Sequence, residues 1–233
     1  MPPLALKEGT GHWHPTSIHK LVELLEKGIR GGRGYIHCYA LTRNIAYNLQ
    51  YLQYLERTLL DLKLTSVLET QTWKTQIIVG CGVIESLLHY LIIASGNQAT
   101  ADWEVRQEFT GVNKTVDGKI YRIDSVFKQK LALPKPVEMT FDAMLKKAES
   151  KRLLGEDHTL YSRLKRLRPL RNRVHLQAIA TTADHDFNAF TNLDQRLMMQ
   201  VVHAVFTGAT FTPSVEQRRY FAYLDRYNEP IEE

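Results

Sequence analysis

The run IIVGCGVIESLLHYLIIA, residues 77 to 94, constrains the fold more than any other part of the chain. Its apolar residues do not gather on one stripe but recur on every side of a helix. Such a helix either sits at the centre of a protein or spans a lipid bilayer. Glu85 and His89 fall inside the run, where ionisable side chains would be costly in hydrocarbon, and no comparable second run exists. A buried central helix is therefore expected, with no membrane partner. A carboxylate in that position needs a cation brought from elsewhere, and Glu85 is assigned a supporting role on that ground.

Around this helix the periodicity predicts others. In HPTSIHKLVELLEKG, Thr16 or Ser17 caps a helix whose stripe is Ile18, Leu21, Val22, Leu24 and Leu25, and Gly28 stops it. GIRGGRGY, residues 28 to 35, lacks the Lys-Ser/Thr ending of a phosphate-binding loop and reads as a connector. A long helix is expected from about Ile36 to Leu62, where Tyr39, Tyr47, Tyr51 and Tyr54 recur with Leu49, Leu52, Leu55 and Leu59 at the spacing of helix packing. Residues 104 to 136 change character: Asp117-Gly118 between alternating β-formers signals a hairpin, closed by Pro134 and Pro136. Helicity returns after Thr140, a capping residue, and again over 159 to 167; Pro169 is either a kink or the first turn of a fresh helix running to about Ala180. Two more helices, through Leu197 to Phe206 and over SVEQRRYFAYLDRY, complete the chain.

A chain of 233 residues with 44% hydrophobic residues is ample for one core, and the expectation is a single helical domain over 1–233, with residues 1–35 as N-terminal helix and connector and 104–136 as an inserted hairpin. Cys38 and Cys81 cannot make a disulfide framework, and MPPLALKEGT lacks the pattern of a signal peptide, so a cytoplasmic protein is expected. The histidines of HWH at 12–14 and the DHD triplet at 184–186 lack the paired spacing of a zinc site. No metal or other cofactor is expected, and HExxH, GxSxG and GxGxxG are absent from the sequence.

Net charge is +5, and the excess is local: Arg163, Lys165, Arg166, Arg168, Arg171 and Arg173 follow one another with no acid between. Read as a helix, LRPLRNRVHLQ (167–177) would set Arg168, Arg171 and His175 within about 60° on one face. Guanidinium and imidazole together suit phosphoryl transfer from RNA. The imidazole moves a proton near neutral pH, the guanidinium holds the phosphate, and the ribose 2′-hydroxyl attacks. The bland alternative is that His175 is a core histidine and the arginines pair with acids such as Glu85.

The element LRNRVHLQ, together with a preceding long apolar helix carrying a glutamate (VIESLLHYL), resembles the HEPN superfamily, the higher eukaryotes and prokaryotes nucleotide-binding domains. The resemblance covers roughly residues 36 to 95 and 140 to 207. It implies an all-α, HEPN-like helical bundle, here with an inserted β-hairpin, and commonly a homodimer whose motifs line a shared cleft. It also implies a metal-independent endoribonuclease of toxin–antitoxin or antiviral-defence systems, with RNA as substrate and an antitoxin or defence-system protein as a possible partner. On that reading Arg171, Asn172 and His175 are catalytic, and Arg166, Arg168 and Arg173 bind RNA. The family pattern places four to six residues between arginine and histidine. Arg171 is followed by the polar Asn172 but stands three residues from His175, whereas Arg168 has six intervening residues and is followed by Pro169. Other members of the superfamily have lost catalysis and bind RNA or a partner protein, which is the alternative function.

Overall fold

The computed structural model describes residues 5–6, 13–175, 177, 179 and 181–228. The chain is mostly helical, with short antiparallel ladders, and divides into two compact units, residues 97–139 and the remainder.

The larger unit is built around α3 (Ser66–Ala94), which packs against α2 (Cys38–Asp61), α4 (Phe141–Ser150), α5 (His158–Arg171) and α7 (Asn192–Thr207). The absence of an apolar stripe is thereby explained: Ile77, Cys81, Ile84, Leu87, Leu88 and Ile92 are buried against different neighbours. Among the described residues α3 alone is long and apolar enough to cross a membrane, and half of its most apolar window is buried within the protein. It begins at Ser66, directly after Thr65, and ends at Ala94.

Helix α1 (Ile18–Gly28) is capped by the Ser17 hydroxyl, which accepts from the Lys20 backbone N–H, and buries Leu21, Val22, Leu24 and Leu25. Gly28 is its last residue for a reason other than turn geometry. A Cβ there would lie 2.7 Å from the ring of Phe211, part of a stack in which Phe206 faces Phe211 and Phe221 at centroid distances of 5.1 and 5.7 Å. Along α2 the leucines and tyrosines separate. Leu41, Leu49, Leu52 and Leu55 are buried, whereas Tyr39, Tyr47, Tyr51 and Tyr54 face outward, so the tyrosines do not serve the helix packing assigned to them. At the end of α2, Leu62–Lys63 (β2) leaves the helix and pairs antiparallel with Ala5–Leu6 (β1).

The smaller unit is a two-stranded antiparallel ribbon of β3 (Thr100–Phe109) and β6 (Ser125–Pro136), longer than the 104–136 read from the sequence, with two register shifts along β3. Beyond it β4 (Lys114–Val116) and β5 (Lys119–Tyr121) meet across Asp117-Gly118. Both turn residues have positive φ, 51° and 73°, as the two-residue turn that matches strand twist requires. This explains the Asp-Gly pair.

Downstream of α5 come a short 3-10 turn (Asn172–Val174), α6 (Asp186–Ala189), α7, α8 (Val215–Arg218) and a 3-10 segment (Arg219–Tyr227). The predicted C-terminal helix is thus only one turn of α-helix, opened by a reciprocal Ser214–Gln217 capping box, before it tightens.

Candidate functional site

Helix α5 carries the cationic motif because its other face is committed to the core. Leu160, Tyr161, Leu164 and Leu167 are buried at helical spacing, leaving Arg166, Arg168 and Arg171 on the remaining surface. The Asp157 side chain caps the helix by accepting from the Thr159 N–H. Pro169 lies inside the last turn of α5, which ends at Arg171, so it does not open a fresh helix: the described residues that follow, up to Ile179, hold no α-helix. The chain tightens into the 3-10 turn, held by a long 3.4 Å bond from the His175 N–H to the Asn172 carbonyl, and is extended at His175 (φ −86°, ψ 103°). The shared helical face expected for Arg168, Arg171 and His175 is therefore broken between the arginines and the histidine. A continued helix would have needed an apolar stripe to bury beyond Arg171, but Val174 and His175 are exposed. Of the rest of LRPLRNRVHLQ, Leu176 lies outside the described residues.

The arginines are paired, each to a different element. Arg171 donates from Nη2 and Nε to one oxygen of Glu85 on α3, at 2.7 and 3.0 Å. Arg168 Nη1 lies 2.6 Å from Asp142 on α4, and Arg166 lies 3.1 Å from Asp194 on α7. Arg173 pairs with Asp184 in the loop that follows. Hydrogen bonding from Lys146, with Arg168 nearby, holds the Asp142 carboxyl below its ordinary range. The expectation that Glu85 takes an arginine from the motif helix is met by Arg171, and the polar Asn172 beside it lies with Oδ1 3.5 Å from Arg171 Nη1. What the sequence did not signal was that Asp142, Asp184 and Asp194 would claim the other three. Their separations from the motif along the chain have no local signature.

His175 is exposed, and is not the core histidine of the alternative reading. Cys81, one turn before Glu85 on α3, is buried, and burial reinforced by the Glu85 charge pushes its thiol up to about 12, against the opposing pull of Arg171. It is not an activated nucleophile. In the DHD triplet, Asp184 holds Arg173, Asp186 accepts from Lys74 at 2.7 Å, and His185 lies 3.1 Å from Asn188. Burial pushes the Asp186 carboxyl up, but the hydrogen bonds from Lys74 and Gln71 outweigh it. Of the HWH segment, His12 lies outside the described residues.

A second polar assembly was not anticipated. Glu56 of α2, 1% exposed, accepts from the Tyr227 hydroxyl at 2.9 Å to both its oxygens, from Gln76 Nε2 at 3.0 Å, and from Arg226. Gln195 of α7 then donates to Gln76 Oε1 and to the Tyr227 hydroxyl, both at 2.9 Å. Burial raises the Glu56 carboxyl above its ordinary value despite Arg226, and burial beside Glu56 pushes Tyr227 up to about 12. The glutamate and the tyrosine stand 171 residues apart in sequence.

In comparison with known proteins, the chain matches no family model, no curated protein and no solved structure.

Proposed function

We propose that this chain is a HEPN-like endoribonuclease that cleaves RNA without a metal ion, through attack of the ribose 2′-hydroxyl on the adjacent phosphate. The observation that carries the reading is the fixing of Arg171. Glu85, rising from the apolar central helix, holds the guanidinium from one side, Asn172 lies against it, and the exposed imidazole of His175 follows just beyond the 3-10 turn. A guanidinium held by a fixed carboxylate is positioned before substrate arrives, which is the condition under which electrostatic stabilisation of a phosphorane-like transition state is most effective. His175 moves the proton, Arg171 binds the scissile phosphate, and Arg166, Arg168 and Arg173 extend the cationic surface along α5 and its end. A toxin or antiviral-defence role, action as a homodimer, and restraint by an antitoxin or other defence protein belong to the same proposal.

The ion pairs of Arg166, Arg168 and Arg173 favour a second reading. Each joins α5 or its end to α7, α4 or the following loop, so these arginines already hold the fold together, and a carboxylate on each weakens its field toward phosphate. On this reading the chain binds RNA or a partner protein without cutting.

The deciding experiment is cleavage of a mixed RNA pool in EDTA by the wild type, His175→Ala and Arg171→Ala, with folding of all three followed by circular dichroism. Cleavage lost in both folded variants supports the nuclease. A folded wild type that binds RNA without cleaving it overturns the catalytic reading in favour of the binding module.

A further inference from the structure

The hydrogen bonds around Glu56 have a direction, and that direction leaves one group without a partner. A carboxylate only accepts, so Gln76 must present its amide N–H to Glu56, and its carbonyl oxygen therefore faces Gln195. Gln195 must answer with its own N–H, shared with the Tyr227 hydroxyl, whose single proton is already directed at Glu56. The orientation of both amides is thus set by the carboxylate at the end of the chain rather than chosen locally. The consequence falls on Gln195 Oε1. The residue is 1% exposed, and this oxygen is buried with no hydrogen-bond partner. An orphaned buried acceptor costs free energy that native structures seldom leave uncompensated.

Gln195 lines an open cavity of about 310 Å³ between α2, α3, α7 and the C-terminal 3-10 segment. Its neighbours there include Arg196, Glu69, Trp73, Tyr227 and Arg226, the last already paired with Glu56. Arg196 stacks over Tyr227 at 5.7 Å and has its Nε buried without a partner. Neither Arg196 nor Glu69 has an ion-pair partner among the described residues. One cavity is therefore lined by an unpaired cation, an unpaired anion, the glutamine that carries the orphan acceptor, and a tryptophan.

We infer that this cavity is a binding site for a zwitterionic small molecule of the α-amino-acid class, independent of the RNA-directed motif. The ligand carboxylate meets Arg196. Its ammonium group donates to Gln195 Oε1 and faces Glu69. A large apolar or aromatic side chain lies against Trp73. A lone anion would leave Gln195 and Glu69 without a counterpart, and a lone cation would leave Arg196 so; the zwitterion answers both. The volume sits at the small end of the range for ligand pockets and suits a free amino acid better than a polymer.

The test uses the full chain, titrated calorimetrically with each proteinogenic L-amino acid at millimolar concentration and, as competing chemistries, with inorganic phosphate and adenosine monophosphate. At least one amino acid with a large apolar or aromatic side chain binds, and its methyl ester and its N-acetyl derivative each bind about tenfold or more weakly. Arg196→Gln, at a partly exposed position, weakens the free amino acid by a similar factor yet leaves the methyl ester unchanged. Glu69→Gln does the converse with the N-acetyl derivative. A general loss of structure would not produce that crossed pattern. The inference is overturned by the absence of binding for every amino acid, by affinities indifferent to both substitutions, or by Arg196-dependent binding of phosphate or the nucleotide alone. Cleavage of RNA is not read in this experiment, so its outcome and that of the nuclease reading are separate.

Discussion

Arg171 at the end of α5 and Glu85 in the middle of α3 meet through two N–H groups on one carboxylate oxygen, at 2.7 and 3.0 Å, joining the cationic motif to the most apolar helix of the chain. Both side chains keep some solvent contact, so the pair's share of stability is modest and its main effect is on the position of the guanidinium.

Glu85→Gln accordingly lowers stability by only about 0.5–1 kcal/mol, a fall in Tm of roughly 1–4 °C. The nuclease reading expects the same variant to lose RNA cleavage far beyond what unfolding explains. Thermal denaturation beside single-turnover cleavage separates the two effects, and full activity in a folded variant removes Glu85 from the site.

Arg166, Arg168 and Arg173 are predicted to contact phosphates. Replacing each by Gln reduces the slope of log K against log salt for RNA binding by about one. Asp142→Asn tests the same point from the other side: with its carboxylate partner gone, Arg168 is freed and RNA binding tightens. Unchanged slopes with lowered stability mean that these arginines are structural.

Tyr227→Phe removes one hydroxyl that donates to Glu56 and accepts from Gln195 and Arg226. The buried carboxylate and amide are then both short of a partner, and the loss is about 1–3 kcal/mol. Urea denaturation shows it as a lower midpoint at unchanged slope.

Two glycines on α3 respond in opposite senses. A Cβ at Gly80 would lie 2.7 Å from Met198 Cγ in the buried core, so Gly80→Ala destabilises by about 1 kcal/mol or more even after the gain in helix propensity. Gly82 is exposed, with nothing within 4 Å of its added Cβ. There Ala stabilises by about 0.5–1 kcal/mol. Chemical denaturation of both variants gives the two signs directly.

Burial lowers the His203 imidazole below its usual 6.5 despite Asp225 at 3.3 Å. Between the lowered value and 6.5 the unfolded chain holds more of the proton than the folded one. The histidine's contribution is therefore complete above 6.5 and is lost as pH falls through the window beneath it. Comparing wild type with His203→Gln from about pH 7.5 to about pH 5.5 isolates this, with a difference in slope no larger than about 1.4 kcal/mol per pH unit.

The periodicity of the sequence determined what depends on neighbours along the chain: a cap at Thr16 or Ser17, of which the structure uses Ser17, the cap at Thr140, the turn at Asp117-Gly118, and the central place of α3, whose apolar residues face every way and so require helices on several sides. It also showed that Glu85 needed a cation. The end of α5 was decided only in the tertiary structure, because helical spacing continues on paper through His175 while Val174 and His175 lie exposed, with no surface to pack against. The acids that claim Arg166, Arg168 and Arg173, and the network that joins Glu56 to Tyr227 across 171 residues, were likewise invisible in the sequence. Hydrogen bonds and ion pairs act over about 3 Å in space whatever the distance along the chain, and only the packed helices bring those groups within reach.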